Sequence, residues 1–362
     1  MIKLLVVDDS ALMRRLLGNL FAAEGDFTIS LARDGLEALA RLDDFAPDVI
    51  TLDVQMPQLD GLACLDRIML ARPCPVVMLS GVTEESADII LSAIELGAVD
   101  FVTKPAGAIS LSMQEFGPRL VSTVRAAAGA RVRRSRRLVE RLRMRSGSGV
   151  ARSADGGRSR LPFRRDIAFG GAADRVVLVG CSTGGPPALD ALLAPLPANF
   201  PWPIVIAQHM PQTFTAALAR RLDRLSALAV QEVTRPVRLA AGQVYVGRGD
   251  ADIILDRRPD GLYAAPAPAL PEYIWHPSVD RLVASALRQM AAHGLIGILM
   301  TGMGSDGART MAQLRGEGGH TIAEAEETAV VWGMPGELVR AGGAEIVAQR
   351  DDIAARLLAW AT

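Results

Sequence analysis

Three residues that together could carry out acyl transfer lie far apart in this 362-residue chain, each just after a short apolar run. Ser182 sits in Gly180-Cys181-Ser182-Thr183-Gly184, a literal G-x-S-x-G that follows the run 176–179. Such a turn exposes a serine at a strand end, beside backbone N–H groups that open a helix. His209 follows the run 204–207, and Asp306 follows the run 296–300 within Thr301-Gly302-Met303-Gly304-Ser305-Asp306. If the three runs are strands sharing one rim, nucleophile, base and orienting acid meet there, as nucleophilic catalysis requires. The order Ser, His, Asp differs from the Ser, Asp, His order of α/β-hydrolases, so the turn alone does not assign that fold. Gly-rich strand-to-helix turns also cradle phosphates, which leaves a nucleotide site open as an alternative. Cys181 is an alternative nucleophile, although its position favours a small residue buried at a strand end. His276, ahead of a helix that Ser278 could cap, is a candidate substrate contact. His293, at the end of a helix, and His320, at the start of a strand, read as structural.

A second set of side chains points to phosphate and metal chemistry. Asp8 and Asp9 close the first apolar run, Asp53 closes the third, Ser80 ends the fourth, and Lys104 follows the fifth. Three carboxylates at one rim repel each other, and a hard cation such as Mg²⁺ relieves that repulsion through oxygen ligands. A hydroxyl and an ammonium on the same rim suit a tetrahedral oxyanion. Lys104 is one of only two lysines, because 37 of the 39 basic residues are arginine.

The elements that must position these residues alternate along the chain. In the first half, strand-like runs at 4–7, 28–32, 49–52, 76–79 and 100–102 alternate with helical spacing at 12–22, 36–42, 62–70, 87–95 and 111–124. That alternation predicts a parallel sheet covered on both faces. A second α/β series begins at 175, with strand-like runs near 176, 204, 228, 244, 253, 296, 320 and 344, and a hairpin expected around 244–255. The spacing gives a domain at 1–122, a basic linker at 123–172 and a second domain at 173–362. The linker is expected to be helical over 126–144, then Ser/Gly-rich and flexible.

Composition narrows the function classes. Between Arg125 and Arg165 there are 14 arginines and two acids, a local +12 in a chain of formal net charge −1. Such a strip could contact nucleic acid, but the second half contains no helical unit of helix-turn-helix size. We expect no nucleic-acid partner; a solvated linker, or docking on acidic protein or anionic lipid, accounts for the strip. Three cysteines without CxxC spacing exclude a disulfide framework and fit a reducing compartment. No run approaches the roughly 20 apolar residues of a membrane span, and the N-terminus lacks a signal-peptide pattern. A cytoplasmic protein without membrane insertion is expected.

The motifs VVDDS, LDVQMPQLDG, MLSGVT and DFVTKP resemble the receiver domain of two-component response regulators, over roughly 1–122. The resemblance implies a flavodoxin-like (βα)5 fold and phosphorylation of Asp53 by a chemotaxis histidine kinase. Mg²⁺ would be held by Asp8, Asp9 and Asp53, with Lys104 and Ser80 on the phosphoryl group and Phe101 as the switch aromatic. The motifs GCSTGGPPAL, AQHMP, HPSVD and TGMGSDGA resemble the catalytic domain of the chemotaxis protein-glutamate methylesterases, over roughly 174–360. This implies a doubly wound, mostly parallel α/β esterase domain that needs no cofactor. Ser182 would be the nucleophile, His209 the base and Asp306 its orienting acid. Thr183 would support the nucleophile, and the N–H groups of His209 and Met303 would receive the oxyanion. The implied substrates are glutamyl methyl esters and glutamines of methyl-accepting chemotaxis receptors. The unphosphorylated receiver would cover the active site. Cys181 in place of a smaller residue, and Trp275-His276 in place of a basic residue, depart from the family pattern.

Overall fold

A computed structural model describes residues 1–81, 84–104, 109–130 and 175–361. The basic strip beyond residue 130, and with it residues 131–144 of the helix expected at 126–144 and the flexible segment, lies outside the described residues.

The first domain alternates β1 (Ile2–Val7), α1 (Ala11–Glu24), β2 (Phe27–Ala32), α2 (Gly35–Phe45), β3 (Val49–Asp53), α3 (Gly61–Ala71), β4 (Val76–Ser80), α4 (Glu84–Leu96), β5 (Asp100–Thr103) and α5 (Ile109–Ala128). The five strands are parallel in the order β2-β1-β3-β4-β5. Every residue of β3 and β4 is buried, which is why these strands read as unbroken apolar runs. Because β1 lies between β2 and β3, the winding reverses at β1/β3, where an open α/β sheet forms its crevice. Asp8, Asp9 and Asp53 sit at that crevice. Ser10, Asp34 and Asp60 cap α1, α2 and α3 through their side-chain oxygens.

The second domain is built on a seven-stranded parallel sheet in the order β15-β14-β13-β6-β7-β10-β8. Its strands are β6 (Val176–Cys181), β7 (Ile204–Gln208), β8 (Ala229–Val233), β10 (Gln243–Gly247), β13 (Leu295–Leu299), β14 (His320–Glu324) and β15 (Ile346–Ala348). Ser182, His209 and Asp306 follow β6, β7 and β13, which are three adjacent strands. The helices are α6 (Gly185–Leu193), α7 (Gln212–Leu225), α8 (Val279–Gln289), α9 (Ala308–Gly316), α10 (Met334–Arg340) and α11 (Ile353–Ala361). Among the described residues no helix is long and apolar enough to cross a membrane.

The hairpin lies elsewhere than expected. β10 pairs in parallel with β7 and β8, inside the main sheet. The antiparallel partner of β11 (Ala251–Arg258) is β12 (Gly261–Pro268), which also pairs with the short β9 (Val237–Arg238). Pro266 and Pro268 hide β12 in the sequence. They are tolerated because β9 pairs only as far as Tyr263 and Ala264, leaving the prolines on an open edge. His293 also moves: it lies in a 3₁₀ turn, Ala292–Gly294, because α8 stops at Gln289.

The two domains share one apolar core, in which Ile90, Leu91 and Ile94 of α4 join Ala217 and Leu218 of α7. Phe101 and Phe214 meet across the boundary with ring centroids 4.4 Å apart. Arg221 is buried there, donating to Leu91 O at 3.1 Å, to Glu95 Oε1 at 2.7 Å and to Asp190. Burial pushes the Asp190 carboxyl upward despite that guanidinium. Removing the arginine would leave the half-buried Asp190 carboxyl without its guanidinium partner and loosen the domain boundary.

Candidate active site

The Ser182 turn is fixed by backbone contacts on both sides. Ser182 N–H donates to Thr301 O at 3.0 Å, and Gly185 N–H donates to Ser182 O at 2.8 Å. The two glycines have separate reasons. Gly184 holds φ 78° as the N-cap of α6, and a Cβ on Gly185 would fall 1.8 Å from Gln208 Oε1. Cys181 is fully buried beneath the turn, its thiol 3.0 Å from Gln208 Oε1. Burial drives that thiol's pKa upward, away from the thiolate that nucleophilic attack needs.

His209 Nε2 donates to Asp306 Oδ2 at 2.8 Å, and the imidazole side chain is only 5% exposed. Its other nitrogen, Nδ1, is buried and has no hydrogen-bond partner among the described residues. With Nε2 carrying the proton, Nδ1 presents a lone pair, the form a general base requires. Asp306 also accepts from Val279 N–H at 2.6 Å, Asp280 N–H at 2.9 Å and Ser278 Oγ at 3.0 Å. The carboxylate therefore sits on the N-terminus of α8, where negative charge is favoured. Burial alone would raise its pKa. The hydrogen bond and charge of His209, with the N–H groups of Asp280 and Val279, outweigh burial and hold it below the usual aspartate value.

Ser182, Thr183, His209, Trp275, His276 and Met303 line one cavity of about 240 Å³, and Asp100, Phe101, Arg119 and Thr123 of the first domain line the same cavity. Thr183 Oγ1 donates to Asp100 Oδ2 at 2.5 Å, so the first domain grips the residue beside the serine. Burial raises the Asp100 carboxyl against the opposing hydrogen bonds of Thr183 and Phe101 N–H.

One expected oxyanion donor is withdrawn. The His209 N–H is committed to Cys181 O at 3.0 Å, extending the β6–β7 ladder by one residue. The Met303 N–H has no hydrogen bond among the described residues. Its loop is pinned by a network that the motifs do not show. Thr301 N–H donates to the buried Glu324 at 2.8 Å, and Thr301 Oγ1 donates to Thr183 O at 2.9 Å. Two further contacts at the site are not predicted by the sequence. Trp275 stacks on His209 with centroids 5.6 Å apart and planes at 11°. Asp252, fully buried, accepts from His276 Nδ1 at 2.9 Å and Ser278 N–H at 2.7 Å. The only sequence signal for Asp252 was an acid placed inside an apolar run.

At the first domain's rim, Lys104 Nζ lies 2.7 Å from Asp53 Oδ2 and 2.8 Å from Asp8 Oδ2. Oxygens of Asp8, Asp9 and Asp53 all fall within 4.8 Å of one another. Burial pushes the Asp53 carboxyl up and Asp8 adds to this, while Lys104 opposes it. The Lys104 ammonium is disfavoured by burial, but its two carboxylate partners raise its pKa on balance. Ser80 is buried, with its hydroxyl turned to Gly81 O at 3.1 Å. A Cβ on Gly61 would lie 2.1 Å from Asp53 O, so the loop after β3 can close against the acid only with glycine there.

The CheB methylesterase family profile matches residues 177–357, and the response regulator receiver domain profile matches residues 4–113. The chain is 54% identical over 364 aligned residues to protein-glutamate methylesterase/protein-glutamine glutaminase 2 of Rhodopseudomonas palustris strain BisB18, covering 99% of this chain and 98% of that protein. It is 49% identical to protein-glutamate methylesterase/protein-glutamine glutaminase 3 of Rhodospirillum rubrum, covering 99% and 96%. The crystal structure of the Thermotoga maritima CheB methylesterase catalytic domain is 35% identical, with a TM-score of 0.50, over 51% of this chain and 98% of that one.

Proposed function

Because the chain belongs to the CheB methylesterase family, with a response regulator receiver domain ahead of the catalytic domain, we propose that it is a phosphorylation-activated protein-glutamate methylesterase/protein-glutamine glutaminase. Its substrates are glutamyl methyl esters and glutamines of methyl-accepting chemotaxis receptors, and a chemotaxis histidine kinase supplies the phosphoryl group. The observation that carries this reading is the His209–Asp306 pair beside Ser182, in a cavity whose far wall is the receiver.

In the proposed reaction Ser182 Oγ attacks the ester carbonyl, and its proton passes to His209 Nδ1. Asp306 keeps the Nε2 proton in place and balances the imidazolium. The carbonyl oxygen becomes an oxyanion facing the Met303 N–H; losing one such donor costs roughly 10²–10³ in kcat. The C–O bond to the methoxy group breaks, and His209 returns the proton so that methanol leaves. Water then attacks the acyl-enzyme, giving its proton to His209, and the glutamate carboxylate departs as Ser182 is reprotonated. With glutamine the same steps release ammonia. In the proposed scheme this half of the chain needs no cofactor.

The receiver half is the proposed control. The three clustered carboxylates are hard oxygen donors, a set that fits Mg²⁺, held by Asp8, Asp9 and Asp53. Bound there, Mg²⁺ would supply the positive charge that favours phosphoryl transfer to the Asp53 carboxylate. Lys104 pairs with the phosphoryl oxygens. Ser80 turns from Gly81 O to donate to them, and Phe101 leaves its packing against Phe214. The Asp100–Thr183 and Arg221–Glu95 contacts then loosen and the cleft opens. The three buried free cysteines support the cytoplasm as the place of action.

Asp53→Asn should abolish stimulation by a phosphodonor with Mg²⁺ while leaving unstimulated esterase activity in place. Methanol release with and without the donor measures this. Loss of the unstimulated rate as well would contradict the division of labour between the domains.

A further inference from the structure

Trp275 faces the proposed base directly. Its ring lies nearly parallel to the His209 imidazole, at 11° and 5.6 Å between centroids. His209 meets Asp306 at Nε2 and takes the serine proton at Nδ1, and Trp275 meets it at the ring face. An indole face attracts a cation within about 6 Å of its centroid, and more strongly when the pair is desolvated. His209 is nearly buried, and its imidazole gains a positive charge when it takes the serine proton. The stack is therefore worth more once His209 is protonated than before, which is the condition for lowering a barrier. Trp275 itself is half-buried, in the loop between β12 and α8 rather than in the core.

We propose that Trp275 is a positioning residue for the esterase, holding the imidazole plane and stabilising the imidazolium that His209 becomes during acyl transfer. This rests on the reading of Ser182 and His209 given above. It assigns Trp275 no contact with the substrate, so its removal should slow turnover without weakening substrate binding.

The test uses the full-length chain with a phosphodonor and Mg²⁺, and methanol release from methylated receptor membranes. Trp275→Leu should lower kcat roughly 3- to 30-fold, the range of a cation–π contact, with KM changed less than about 2-fold. Trp275→Phe, which restores an aromatic face, should recover part of that loss. Receiver phosphorylation in both variants checks that the chain is folded. A raised KM at unchanged kcat would make Trp275 a substrate contact and overturn the proposal. Unchanged kcat and KM, or a phenylalanine variant no better than leucine, would overturn it too. Ser182→Ala run alongside separates the two levels: turnover near the wild-type rate in that variant sinks the nucleophile assignment, whatever Trp275 does.

Discussion

Ser182→Ala should remove esterase activity, by roughly 10⁴- to 10⁶-fold in kcat, while Asp53 remains phosphorylatable. The contacts that shape the turn support so clean an effect. Ser182 N–H on Thr301 O, and Gly185 N–H on Ser182 O, are backbone bonds that alanine keeps. A Cβ on Gly302 would lie 2.8 Å from the Ser182 Cβ, so the glycine leaves room for a Cβ that alanine also keeps. Only the hydroxyl is lost, and with it the covalent route. Whatever activity persists measures what His209 and the Met303 N–H can do with water alone. Methanol release and phosphorylation assayed on the same preparation check both halves of the expectation; an active variant would return Cys181, or direct attack by water, to consideration.

Asp306→Asn should cost about 10⁴-fold in kcat, because an amide favours the wrong imidazole tautomer. It should also lower stability. The carboxylate accepts from four donors: His209, Ser278, Val279 and Asp280. An amide offers one oxygen, so some of those donors are left unpaired, at about 1–3 kcal/mol each. The pH dependence gives a second readout. A carboxyl with a depressed folded pKa stabilises the fold above its unfolded pKa, and that contribution is lost as pH falls through the folded value. Asp306 is depressed, so wild type should lose part of its stability on acidification below about pH 4. The asparagine variant should lack that part. Denaturant unfolding at a series of acid pH values measures it, and identical slopes for the two proteins would contradict the assigned ionisation.

Much of this architecture was legible because burial and strand position leave marks on composition. β3 and β4 are buried on both faces and read as uninterrupted apolar runs. Asp8 and Asp53 close such runs, and Ser182, His209 and Asp306 follow them, which is what a polar residue at a sheet rim looks like. What stayed hidden depends on contacts between distant segments. Nothing in the order of residues says that His209 N–H would be taken by Cys181 O, or that Thr301 would tie Glu324 to the serine turn. β12 was lost because Pro266 and Pro268 argue against a strand, and only the shortness of β9 removes the objection. Trp275 and His276 could be noticed as departures from a family pattern, but that Trp275 covers His209, and Asp252 holds His276, followed only once the loop before α8 was folded over the cleft.

We propose that a receiver's aspartyl phosphate controls a serine esterase in the same chain. Methanol release from methylated chemoreceptor membranes, measured on the wild-type chain with and without a phosphodonor and Mg²⁺, tests it most directly. Release should be slow from the unmodified chain, rise markedly when donor and Mg²⁺ are both present, and show no rise when either is withheld. Release that is absent throughout, or equally fast in all conditions, would contradict it.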